Sequence, residues 1–125
     1  MPGNPTPRLL RRSKKPLGYR VITEATAKQD ALDYAAYVMG ETKASAPALR
    51  WLSALEQSIE ALSEMPRRYA QIAEQEHFPI ELRQFVHYSH RVIYHVNDET
   101  STVHILRIYH GRRDEMEQRD IFTDF

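Results

Sequence analysis

Apolar side chains recur every three or four residues over two stretches of the chain and alternate with polar ones over four others. Between Glu24 and Met39, Ala27, Ala31, Leu32, Ala35, Val38 and Met39 keep helical spacing, and Gly40 stands where a C′ residue would stop the helix. A second helix is expected from Ser45, a capping residue, with Pro47 in the first turn, where its missing N–H costs nothing. Its apolar stripe is Leu49, Leu52, Leu55, Ile59 and Leu62, and Pro66 ends it. The short link from Gly40 to Ser45 implies an antiparallel helical hairpin with an apolar face to cover.

Residues 18–23 alternate well enough for a first strand. Residues 67–81, with mixed charge, Pro79 and no period, are expected to be a connecting loop. Three β-rich runs follow, 82–87, 91–96 and 102–110, separated by gaps of hairpin length. In the middle strand Val92, Tyr94 and Val96 share one face and Arg91, Ile93 and His95 the other. In the last, Leu106 and Ile108 oppose Arg107 and Tyr109. One sheet face should pack the helices and the other should stay partly polar. The order strand, helix, helix, strand, strand, strand predicts an α+β fold: an N-terminal strand, a helical hairpin and a three-stranded antiparallel meander. Residues 1–17 are expected to be a flexible, basic, Pro-rich leader, 18–114 the domain and 115–125 a C-terminal tail.

Composition narrows the function classes. With 125 residues, 42% hydrophobic and 27% charged, the chain fits one soluble globular domain. It has no cysteine, which excludes disulfides, thiolate zinc sites and cysteine nucleophiles. No apolar run approaches the roughly 20 residues of a bilayer span, so no membrane role and a cytoplasmic location are expected. Zero net charge hides an asymmetry: the leader's Arg8, Arg11, Arg12, Lys14 and Lys15 leave 12 basic residues against all 17 acidic ones in the remainder. A basic arm can track nucleic-acid phosphates, although a short Pro-rich leader also serves as a plain solvated extension.

Chemistry-bearing residues cluster toward the C-terminal end. Arg83, Arg91, Arg107, Arg112 and Arg113 lie on or just beyond the three last strands, interrupted between Arg83 and Arg113 only by Asp98 and Glu99. Fixed guanidinium groups on a sheet can hold phosphates or a carboxylate-rich partner. The plainer alternative is that they solvate an exposed face and form weak surface pairs. The spacing of the six histidines matches no recognised metal motif. His110 closes the last strand beside Arg112 and Arg113, where it could move protons or simply face water. Trp51 lies in a helix, a packing position. No Gly-rich phosphate loop, nucleophile elbow or nucleotide fingerprint occurs, so no cofactor is expected.

Leu82-Arg83, Arg91 to Val96, Val103 to Asp114, and upstream Ala54-Leu55-Glu56, Ala61-Leu62 and Met65-Pro66 together resemble the ParE/RelE superfamily of type II toxins. The closing His110-Gly111-Arg112-Arg113-Asp114 looks more like ParE than RelE. The resemblance implies a growth-inhibiting toxin, of the kind linked to plasmid stabilization, neutralised by a cognate antitoxin of ribbon-helix-helix type. ParE-like members inhibit DNA gyrase by binding it, with no chemistry of their own. On that reading Arg83, Arg91, Arg112 and Arg113 bind the target. The alternative is a RelE-like ribosome-dependent mRNA endoribonuclease, in which Arg91, His110, Arg112 and Arg113 would act on the scissile phosphate. A third reading is a member that keeps antitoxin binding only. RelE-type nucleases often carry a tyrosine near the chain end, whereas residues 111–125 contain none.

Overall fold

The computed structural model describes residues 18–111 and residue 121. The expected leader, Arg112, Arg113 and the tail, Ile121 excepted, lie outside the described residues. Within them the chain runs β1 (Arg20–Thr23), α1 (Ala25–Thr42), α2 (Ala46–Glu60), β2 (Arg83–His87), β3 (His90–Asn97) and β4 (Thr102–His110), with short 3₁₀ turns at Ala61–Ser63 and Gln75–His77. This is the expected α+β order. The four strands form one sheet in the order β1-β4-β3-β2. β1 lies parallel to β4, pairing Arg20 with Thr102 through Thr23 with Ile105, and the other two pairings are antiparallel.

The helices differ from the sequence reading in extent and in which residues of each apolar stripe are buried. α1 runs through Gly40 and stops at Lys43, which turns left-handed (φ 59°) and donates its N–H to the Met39 carbonyl. The Thr42 hydroxyl bonds the Val38 carbonyl at 2.8 Å, so local polar contacts end the helix where a glycine stop was expected. Ser45 stands at the start of α2 but makes no side-chain cap bond. Ala27, Ala31 and Ala35 alone are buried on α1, while Leu32 and Met39 are exposed. On α2 the buried row is Ala48, Trp51, Leu55 and Ile59, leaving Leu49 at 59% exposure. The small alanines let α1 lie close to its neighbours, so the larger side chains one position along point away from the core.

Two clusters sandwich the sheet. Under the helices, Leu55, Ile59 and Leu62 meet Phe85, Val92, Tyr94, Val96, Val103, Ile105 and Ile108. Tyr94 is fully buried, donates its hydroxyl to the Pro66 carbonyl at 2.7 Å, and has its pKa pushed up to about 12 by burial.

The opposite face is not the partly polar surface expected. Ile93, Leu106 and Tyr109 are covered there by Ile72, Phe78 and Leu82 of the connector, and by Ile121. The connector folds back on itself. Ile72 N–H reaches the Leu82 carbonyl (3.0 Å), and the Gln75 side chain clamps Ile80 and Leu82 by two 2.7 Å bonds, imitating a neighbouring strand.

A β-bulge also changes the facing of β4. Tyr94 pairs with Ile105, but the preceding Ile93 pairs with Arg107, so Leu106 is the extra residue. Ile105 and Ile108 therefore both face the helices, while Leu106 joins Tyr109 on the other side. Strict alternation, which placed Leu106 with Ile108, fails at this point.

Candidate functional site

Connector, helix and sheet converge on the arginines, and the guanidinium groups of Arg67, Arg68, Arg83, Arg91 and Arg107 meet internal acceptors. Arg91 on β3 donates Nη1 and Nη2 to the two carboxylate oxygens of Glu74 at 2.9 and 2.8 Å, and Nε to Gln84 at 2.7 Å. Glu74 is buried at 5% exposure, supplied by the folded connector. Arg83 on β2 donates to both oxygens of Glu81 at 3.2 Å and to the Tyr69 carbonyl at 2.6 Å. The Glu81 carboxyl is held below its ordinary range, first by the Gln71 amide and then by Arg83. Arg107 on β4 forks onto Asp30 of α1 at 2.8 and 3.0 Å. Asp30 also accepts the backbone N–H of Ile108, satisfying β4 where β1 no longer pairs with it.

The same pattern reaches the exposed side. Arg67 grips Asp98 through two bonds of 3.0 and 2.8 Å, and Tyr19 adds its hydroxyl at 2.8 Å. Arg68 donates to the Ala61 and Met65 carbonyls. All five arginines from Arg67 to Arg107 are thus tied to the chain's own oxygens. Counting acids along the sequence between Arg83 and Arg113 missed Asp30, Glu74 and Glu81, which arrive from α1 and the connector.

Of the residues singled out from sequence, Arg83 stands on the edge strand β2 and Arg91 on its inner neighbour β3, each with its own carboxylate. His110 stands elsewhere, at the exposed end of β4 in a cluster of rings. Its ring lies 5.3 Å from His90, which packs edge-on against Tyr34 (4.2 Å) and Trp51 (5.3 Å). Trp51 also meets His87, whose Nε2 donates to the Trp51 carbonyl at 3.1 Å. His90 is buried with Nδ1 lacking a hydrogen-bond partner, and burial first, then the neighbouring His110 and His87, lowers its pKa. The turn after His110 is pinned by the Gly111 N–H on the Ser89 carbonyl. A side-chain Cβ at Gly111 would stand 2.9 Å from that oxygen, so only glycine fits the approach. Arg112 and Arg113, the next residues, lie outside the described residues. Among the described residues no three side chains converge to hold a metal ion.

Between the helices runs an apolar cleft of about 270 Å³, walled by Ala31 and Leu32 of α1, Leu52, Leu55 and Ile59 of α2, and Ile108 below. Sequence reading placed Leu32 in the core; its 56% exposure puts it at this cleft instead.

The family model described as the ParE toxin of the type II toxin–antitoxin system parDE matches residues 8–115. The chain belongs to the ParE toxin family. Among solved structures, one chain of the toxin–antitoxin complex RelBE2 from Mycobacterium tuberculosis is similar to this ParE-family chain. The match has 23% identity and a TM-score of 0.50, and covers 81% of this chain and 98% of that one. At that identity the likeness concerns the fold. No curated protein matches the sequence. The family places this ParE-type chain among toxins of type II toxin–antitoxin systems.

Proposed function

We propose that this ParE-family toxin inhibits DNA gyrase by binding it, without cutting RNA. The observation behind this reading is the Arg91–Glu74 fork. A guanidinium meant to stabilise charge at a scissile phosphate must offer its donors to that phosphate. Here three of the Arg91 donors are spent on Glu74 and Gln84, at 2.7–2.9 Å, beneath a connector that buries the surrounding face. An anionic carboxylate beside Arg91 also repels an incoming phosphate. The family match and the absence of tyrosine in residues 111–125 point the same way.

The cognate antitoxin, in this reading a ribbon-helix-helix protein, lays an amphipathic segment into the cleft between α1 and α2. Leu32 is exposed there, and Ala31, Leu52 and Ile59 form the apolar walls that such a segment needs. The setting is cytoplasmic, where gyrase works on DNA. Induced expression in a susceptible bacterium tests the target: DNA-damage signalling should precede any fall in protein synthesis. Translational arrest within the first minutes, with no damage signal, would contradict the proposal.

A further inference from the structure

Parallel pairing of β1 with β4 brings Ile22 beside His104 and Thr23 beside Ile105, and the Glu24 N–H then bonds the Ile105 carbonyl at 2.9 Å. The Glu24 carboxylate thereby reaches His104 Nδ1 at 2.7 Å. On the other side of the ring, His104 Nε2 meets the Thr102 hydroxyl at 3.0 Å. The β3–β4 turn, held by the Thr100 N–H on the Asn97 side chain, brings the Thr100 hydroxyl to 2.7 Å from that of Thr102. Thr102 is buried at 2% exposure, whereas Thr100 is exposed.

The carboxylate end fixes the direction of the first bond in this line, and the neutral ring would set the others. An ionised carboxylate only accepts, so His104 Nδ1 donates to Glu24, and in the neutral form of the ring Nε2 is the acceptor. Thr102 therefore donates to Nε2, and its oxygen accepts from Thr100. The Thr100 proton is aimed inward along the line and its lone pairs are left to solvent. Carboxylate on Nδ1 and hydroxyl on Nε2 is the arrangement by which an imidazole activates a hydroxyl for attack, extended here by one further hydroxyl.

We infer that Thr100 is a self-modification site that accepts an acyl group from an activated ester or thioester. Thr100 Oγ attacks the acyl carbon and the new C–O bond forms as the bond to the leaving alcohol or thiol breaks. The hydroxyl proton passes through Thr102 to His104 Nε2, and the imidazolium returns a proton to the leaving group. The inference stands apart from gyrase binding, since none of these residues belongs to the arginine array or to the cleft between the helices.

The test uses p-nitrophenyl acetate as the acyl source on the full chain, with adducts located by peptide mass spectrometry. An acetyl group should appear on Thr100. His104→Gln, and separately the near-isosteric Thr102→Val, should slow labelling by about 10²-fold, the lower end of general-base contributions. Melting curves identify which variants remain folded. Lysine labelling with none on Thr100 of the wild type would overturn the inference. So would a folded variant that labels Thr100 at the wild-type rate.

Discussion

Arg91 and Glu74 face each other through two hydrogen bonds of 2.8 and 2.9 Å, with side-chain exposures of 15% and 6%. The pair nails the connector to β3, so it serves the fold as much as it occupies the arginine. Removing one partner leaves a buried charge uncompensated, which costs about 3–5 kcal/mol. Glu74→Ala should therefore lower stability by that amount in a urea titration, while the exposed Glu56→Ala should change it by less than about 0.5 kcal/mol. Comparable effects at the two positions would show that the pair is not buried in solution.

The α2 stripe is buried as expected at Leu55 and Ile59 but not at Leu49, which gives a second expectation. Leu55 is 3% exposed and Leu49 is 59% exposed. Leu55→Ala should destabilise by about 2–5 kcal/mol through the cavity it leaves. Leu49→Ala should be near neutral, and denaturation midpoints of the two variants distinguish them directly.

His90 makes stability depend on pH. Its folded pKa lies below the ordinary value of 6.5 because burial penalises the charged ring, with repulsion from His110 and His87 acting the same way. Between the folded and unfolded values the unfolded chain binds the proton and the folded chain does not, so stability falls as pH drops below about 6.5. The melting temperature of the wild type should decline from pH 7 to pH 5, and His90→Phe should decline less. An equal decline in both would place the titrating group elsewhere.

The cleft between the helices yields a further expectation. Leu32→Glu sets a charge at 56% exposure beside the apolar walls, so folding should be little changed while antitoxin affinity falls at least about tenfold. Calorimetry with the purified cognate antitoxin measures this, and unchanged affinity would move the docking surface elsewhere.

Much of the fold was legible because β-strand and helix periods differ, and Val92, Tyr94 and Val96 alternate where Leu55, Ile59 and Leu62 do not. Three features escaped for physical reasons. The bulge at Leu106 inserts an extra residue between His104 and Arg107, and strict alternation makes no allowance for it. The connector looked featureless because its order comes from long-range contacts, such as Gln75 on Leu82 and Ile72 on the sheet, rather than from local repeat. The arginines were visible as a group, but their partners Asp30, Glu74 and Glu81 are neighbours only after folding. Of the expected site, Arg83, Arg91 and His110 can be placed, and the first two stand apart from the third.

The central claim is that the toxin acts by binding gyrase, and purified components test it most directly. Wild type and His110→Ala should both inhibit gyrase supercoiling of relaxed plasmid, to within a few-fold of each other, and neither should cut mRNA on ribosomes. A histidine needed for proton transfer contributes about 10²–10⁴ in rate, so the variant separates the two mechanisms sharply. Codon-position cleavage by the wild type that disappears in His110→Ala, with supercoiling untouched, would contradict the account.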